Sequence, residues 1–364
     1  MPNRRVVETR IKSDERIAVI GAGSWGTALA IHFSRSGRPT TLWGRDRSRV
    51  GEMAELRSNT EYLDEISFPP ELRVTDDLRA AVSEADDIVL AVPSHSFRAL
   101  LEAIAATQIE SFGLCWATKG FEIESGLLPH QVVAETMPAG LPTAVLSGPT
   151  FAAEVARELP SAMTIASTSE SYAHRLAVAI STDTFRAYVS SDVVGVEVGG
   201  ATKNIYAIGA GLSDGLGFGA NTRIALLTRG LAEMTRLGTK LGAQKDTFMG
   251  LAGMGDLALT CTDDQSRNRR FGMALAHGVP QEDARAEIGQ VVEGFYAARA
   301  VHLVASREGI DMPIADQVYR VLYEGLDPRD AVRTDAPPHH ARALDGASES
   351  LLTPGFIQGH SRRI

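Results

Sequence analysis

The sequence predicts an α/β protein: an N-terminal Rossmann doubly wound sheet followed by an all-helical C-terminal domain. Short apolar strand candidates alternate with helical segments from Arg16 to Ser190. A glycine-rich turn, Gly21-Ala22-Gly23-Ser24-Trp25-Gly26, joins the first strand to the first helix. Beyond Ser190 the strand signal nearly vanishes and helical periodicity takes over. At 364 residues, 44% hydrophobic and 22% charged, the chain has material for two full-sized cores. These shifts divide it into a loose arm over 1–14, a Rossmann domain over 15–191, a helical domain over 192–330, and a disordered tail over 331–364. The tail carries Pro337, Pro338, His339 and His340 ahead of a Ser/Gly/Ala-rich stretch.

The strand candidates are residues 17–20, 40–43, 88–92, 114–117, 144–146, 162–166 and 185–189, and their spacing by helices predicts parallel pairing. The first helix, over 27–36, places Leu29, Ala30 and Phe33 on one face and closes at Gly37. In the second unit, residues near 192–211, 224–237, 269–276, 292–307 and 314–322 read as helices.

Composition narrows the function. A formal net charge of -9 argues against a general nucleic-acid surface or an anionic-membrane surface, because both need a basic field, so any anion site must be local. Cys115 and Cys261 stand in neither CxxC nor metal-ligand spacing, which reads as reduced thiols with no metal site. No apolar run is long enough to span a membrane, and the basic start lacks the apolar stretch of a signal peptide, so residence in the cytoplasm without stable membrane anchoring is expected.

The turn at 21–26 has the G-x-G-x-x-G spacing directly after an apolar strand and at the head of a helix. Gly21, Gly23 and Gly26 allow a tight turn, close approach of a pyrophosphate and close helix–strand packing, while the helix start offers free amides to the anion. The second strand ends at Gly44-Arg45-Asp46-Arg47, where an acid would hold a ribose and an arginine a 2'-phosphate. Two arginines around one acid favour NADPH, with NAD left open. His95, on the turn after residues 88–92, is either a base or part of a loop that lines the cofactor or starts a helix.

Lys203 is the residue that most needs explaining. It lies in a glycine-rich apolar helix, and Val196, Gly199, Gly200, Tyr206, Ala207 and Ala210, which share its face, include no acid. Either its stem reaches water, or it is desolvated and unpaired and exchanges its proton near neutral pH. So many glycines imply close approach by another backbone or by a ligand. Three further segments look like walls of one pocket: Thr118-Lys119-Gly120, Gly148-Pro149-Thr150-Phe151-Ala152, and Gly255-Asp256 leading to Ser266-Arg267-Asn268-Arg269-Arg270. Ser266 is placed to cap a helix whose first amides, with Arg267, make a phosphate cradle. Asp256 either accepts a hydrogen bond from a substrate hydroxyl or orients the lysine.

Read in order over about residues 16–330, these motifs, with Leu-Trp-Gly-Arg-Asp (42–46), Ala-Val-Pro-Ser-His (91–95), Lys-Asn (203–204), Ser-Arg-Asn-Arg-Arg-Phe-Gly (266–272) and Val-Glu-Gly (292–294), resemble the NAD(P)-dependent sn-glycerol-3-phosphate dehydrogenases of the bacterial type. The resemblance implies interconversion of dihydroxyacetone phosphate and sn-glycerol 3-phosphate, supplying the backbone of phospholipids, by a homodimer. It implies Lys203 as the proton acceptor. Lys119, Gly148, Thr150, Asn204, Asp256, Ser266, Arg267 and Asn268 would bind the small phosphorylated substrate. Ser24, Trp25, Arg45, Ala152, Val291 and Glu293 would join Lys119 and Arg267 around the cofactor. Two other readings compete. A related dehydrogenase of hydroxy acids or sugar acids would lack the phosphate cradle, and a silent dinucleotide sensor would bind NADPH without turnover.

Overall fold

The computed structural model describes residues 14–109 and 112–334. The expectations for the arm before Asp14, and for the prolines and histidines of the tail, lie outside the described residues.

Among the described residues ten strands form: β1 (Ile17–Ile20), β2 (Thr40–Trp43), β3 (Ser58–Asn59), β4 (Asp64–Ser67), β5 (Arg73–Thr75), β6 (Asp87–Leu90), β7 (Gly113–Trp116), β8 (Thr143–Ser147), β9 (Ser161–Ala166) and β10 (Phe185–Ser190). Eight of them make one sheet in the order β10-β9-β8-β7-β6-β1-β2-β5, and β3 and β4 pair separately. β1, β6 and β7 are buried along their whole length, which is why they read as unbroken apolar runs. Reversal of order across β1 puts β2 on one side and β6 on the other, so the crevice above β1 receives the glycine turn. The sequence reading missed β3, β4 and β5. These are two- to four-residue polar segments at a sheet edge and in a hairpin, specified by pairing rather than by an apolar pattern.

One expectation needs correction. The sheet is not wholly parallel: β8 and β9 run antiparallel, with Leu146 opposite Ile165. Only the five-residue helix Ala152–Ala156 lies between them, too short to carry the chain back along the length of a strand. β9 and β10 are parallel again, with the helix Glu170–Ile180 between them.

After β10 the chain is helical. The helix Val193–Gly215 is buried over nearly its whole length and runs through the middle of this half. Asp192 starts it by accepting from the Gly195 N–H at 2.9 Å, while its second oxygen accepts from the Gln244 N–H and the Thr247 hydroxyl. Around it stand Ala220–Lys240, Asp256–Thr262, Arg267–Ala276, Gln281–Ile288, Glu293–Glu308 and Pro313–Tyr323. The helix Pro328–Thr334, with Ala331 buried, carries regular structure past residue 330, where the tail was expected to begin.

The glycines of the central helix have a definite purpose. A Cβ at Gly199 would run into the Ala252 carbonyl, and one at Gly211 into that of Arg269. From the facing helix Arg267–Ala276, Gly272 lies in the same way against the Ile208 carbonyl. Of the two explanations for these glycines, backbone approach is the one observed, and it seats the helix Arg267–Ala276 directly on the lysine helix.

Candidate active site

A cleft of about 620 Å³ opens between the carboxyl edge of the sheet and the helical half. The sheet side contributes Ser24, Trp25, Lys119, Thr150 and Ala152, and the helical side Lys203, Asn204, Asp256, Ser266, Arg267, Asn268 and Glu293. Gly21, Gly23 and Gly26 form the turn below Ser24. Gly148 backs the wall behind Thr150, where a Cβ would come 2.8 Å from Met163 Cα. Arg45 and Val291 are exposed and do not line the cleft, and neither does His95, whose ring stands 5.6 Å from that of Tyr296.

The glycine turn is shaped for an anion. Gly21 adopts φ +121 with its α-carbon tight against the Ala91 carbonyl, and Gly26 lies on the Gly21 carbonyl, so side chains are barred from both. At Gly23 an added Cβ would meet nothing within 4 Å, and no side chain caps the helix Ser24–Arg35 that starts there. An open backbone face at an uncapped helix start fits a pyrophosphate. Asn59, buried and unnoticed in the sequence, donates to the Ala22 carbonyl at 3.0 Å and to the Thr27 hydroxyl at 2.8 Å, fixing the turn from below. At the end of β2, Asp46 caps the next helix by accepting from the Ser48 and Arg49 N–H groups at 3.0 and 3.2 Å.

The floor of the cleft is a charged triad. Asp256, fully buried, accepts from Lys119 Nζ on Oδ2 at 2.8 Å and from Lys203 Nζ on Oδ1. Lys203 also donates to the Thr260 hydroxyl at 3.0 Å, which in turn donates to the Asp256 carbonyl at 2.6 Å. Lys203 is therefore desolvated as expected but not unpaired: its partner comes from another helix, which same-face counting cannot see. Asp256 is presented by a π-helical turn, Leu251–Gly255, wedged beneath Gly199. Burial, reinforced by the charge of Lys119, lowers the Lys203 pKa to about 8 against the pull of Asp256. For Lys119 burial works the same way, but contact with Asp256 outweighs it and its pKa is raised. Burial alone would raise the Asp256 carboxyl, yet the two ammonium groups hold it below its usual range.

Beyond the triad, Ser266 caps the helix Arg267–Ala276 by accepting from the Arg269 N–H at 3.3 Å, as its position in the sequence predicts. Arg267 and Arg270 line the cleft, with Arg267 donating to Gln290 at 3.2 Å. Arg269 instead turns away to Asp214 at 2.7 Å. Asn204 accepts from the Asn268 side chain at 2.9 Å and donates to Glu293 at 3.1 Å, which ties three helices together behind the cleft. Thr260, four residues after Asp256 on one helical face, is the triad partner that sequence reasoning left unassigned.

A Rossmann sheet with an anion-shaped glycine turn, joined to a helical half that supplies a desolvated lysine, defines the class of two-domain nicotinamide-dinucleotide dehydrogenases. Comparison with known proteins makes the assignment specific. Models of the NAD-dependent glycerol-3-phosphate dehydrogenase N-terminus and C-terminus match residues 16–173 and 192–333. The chain belongs to this family. It is 54% identical over 318 residues to glycerol-3-phosphate dehydrogenase [NAD(P)+] of Methylococcus capsulatus, covering 87% of this chain and 95% of that one. The corresponding Idiomarina loihiensis protein is 52% identical over 317 residues, covering 87% and 95%. A crystal structure of glycerol-3-phosphate dehydrogenase from Coxiella burnetii superposes with a TM-score of 0.86 at 43% identity, covering 88% of this chain and 98% of that chain.

Proposed function

We propose that the enzyme interconverts dihydroxyacetone phosphate and sn-glycerol 3-phosphate with NAD(P)H. The observation that carries this reading is the pairing of Lys203 and Lys119 on one buried carboxylate, in a cleft that also holds the start of the Arg267 helix. When bound, the nicotinamide supplies or accepts the hydride. The chain's own residues handle charge and protons. Lys203 spends two of its three N–H bonds on Asp256 and Thr260, which leaves the third for the substrate oxygen. In reduction that N–H delivers the proton as the carbonyl oxygen gains charge. Lys119, held cationic by Asp256, keeps a positive field beside it. In oxidation neutral Lys203 takes the hydroxyl proton. In this reading Asp256 orients both amines, a role supported by its contacts with Lys119 and Lys203.

Ser266, Arg267 and the first amides of the Arg267 helix would take the substrate phosphate, with Gly148, Thr150, Asn204 and Asn268 completing the pocket. That grip spends binding energy away from the reacting carbon to hold it in place. NADPH is favoured over NADH because the one acid at the end of β2, Asp46, is committed to capping its helix while Arg45 and Arg47 stand exposed. Pairing as a homodimer and residence in the cytoplasm belong to the same reading. They rest on the family likeness, and light scattering and cell fractionation check them.

The decisive assay follows NADPH absorbance on adding dihydroxyacetone phosphate, then repeats it with NADH and with unphosphorylated dihydroxyacetone. Rapid oxidation only with the phosphate ester supports the reading. Equal turnover of the unphosphorylated ketone removes it. Arg45→Ala should weaken NADPH binding more than NADH binding.

A further inference from the structure

Away from the cleft, a second carboxylate is buried on the lysine helix and takes no part in the chemistry described so far. Glu197 is 4% exposed and accepts three hydrogen bonds, all from the sheet half. Trp116 Nε1 donates to Oε1 at 3.0 Å and the His130 main-chain N–H donates to the same oxygen at 2.9 Å, while Oε2 meets His130 Nδ1 at 2.5 Å. Trp116 is the last residue of β7, three before Lys119. His130 is in the first turn of the helix Pro129–Thr136, where the Gln131 side chain accepts from the Leu128 N–H at 2.9 Å and Glu197, from another element, adds an anion by accepting from the His130 N–H. Six residues along from Glu197, about 9 Å of helix rise, stands Lys203.

A carboxylate stripped of water is costly, and an apolar side chain of like shape would fill the same space at no such cost. What an apolar group would not do is fix one element against another at a single register, because hydrogen bonds to three directed donors set position in a way that apolar contact does not. We propose that Glu197 is a positioning residue: it locks the strand that delivers Lys119 to the helix that delivers Lys203, and so sets the spacing of the two amines across Asp256. The inference rests on the reaction proposed above. Lys203 is faced by Lys119 from the turn after β7, by Asp256 and Cys261 from the helix Asp256–Thr262, and by Glu293 from the helix Glu293–Glu308, so a shift between β7 and the lysine helix alters the field at Lys203.

The test compares Glu197→Ala and Glu197→Gln with wild type in the full chain, reading kcat, the KM for dihydroxyacetone phosphate, NADPH affinity by fluorescence and the pH profile of kcat. Glu197→Ala is expected to lose kcat by about ten- to a hundredfold, the scale of a small misplacement of reacting groups, with NADPH affinity within about twofold and the pH midpoint displaced. Glu197→Gln should restore most of kcat. Its amide oxygen accepts from Trp116 and the His130 N–H, and its NH2 donates to His130 Nδ1 once the neutral ring moves its proton to Nε2. If the alanine variant does not fold, the pair Trp116→Phe and His130→Ala removes the side-chain donors and carries the same expectations. A folded variant with wild-type kcat and pH profile overturns the inference. So does one whose kcat, NADPH affinity and Tm fall together with the midpoint unmoved, the mark of a carboxylate that only supports the fold. Wild-type turnover tests the reaction and the ratio of variant to wild type tests Glu197, so the two fail separately.

Discussion

Lys119 and Lys203 meet through opposite oxygens of one carboxylate, that of Asp256, although one lysine comes from the sheet and the other from the central helix. The arrangement makes the two amines unequal. Lys119 is held charged, while Lys203 titrates at about 8. In the proposed reaction the first would serve as a permanent field and the second as the proton exchanger.

Replacing Lys203 by alanine should lower kcat by about a hundredfold or more with cofactor affinity nearly intact, the usual worth of a general acid or base. The sign of the wild-type pH dependence follows from the lysine's state. Reduction needs protonated Lys203, so its kcat should fall as pH rises through about 8. Oxidation needs the neutral amine, so its kcat should rise through the same region. Stopped-flow traces in both directions across this range read it directly, and parallel profiles would contradict the assignment.

Asp256→Asn removes the charge that favours both ammonium groups while leaving the shape. The Lys203 pKa should then drop below its wild-type value near 8, because burial and Lys119 both act to lower it and the main opposing partner is gone. The reductive pH profile should move toward acid and its plateau should fall. An unmoved midpoint would show that the carboxylate does not govern the lysine.

Arg267→Ala should cost about 1.5–3 kcal/mol of affinity for the phosphate ester, the worth of a charged hydrogen bond, with little effect on unphosphorylated dihydroxyacetone. Steady-state KM values for the two ketones provide the comparison. Equal losses on both would mean that Arg267 does not grip phosphate.

Gly211→Ala places a methyl group against the Arg269 carbonyl and should destabilise the protein by about 1–3 kcal/mol through overpacking. Gly51→Ala makes the contrast. It lies within the helix Arg47–Leu56, where an added Cβ meets nothing within 4 Å, so alanine should stabilise by about 0.5–1 kcal/mol. Thermal melts of both variants that shift in the same direction would refute the packing argument.

Much of this was legible in the chain itself. The sheet could be read because its inner strands are buried on both faces and therefore apolar throughout, and the glycine turn because its spacing has a backbone reason. Lys203 stood out as a lone cation in an apolar helix. Its relation to Asp256, 53 residues on, and the 137-residue reach from Lys119 to the same carboxylate exist only in the folded chain. The reversal between β8 and β9 escaped because their residues are equally apolar in either direction. Glu197 and Asn59 escaped because a buried polar residue looks like any other until its donors and acceptors are in place.

The reciprocal glycine seats of the central helix bear on what could be redesigned. These contacts lie behind the cleft, main chain against main chain, so the helices that carry Lys203 and Arg267 cannot be spread to admit a bulkier substrate. Room for a larger ketone would have to come from the loop ahead of Ser266 or from Thr150 and Phe151, whose side chains face the cleft and can be exchanged without prising helices apart.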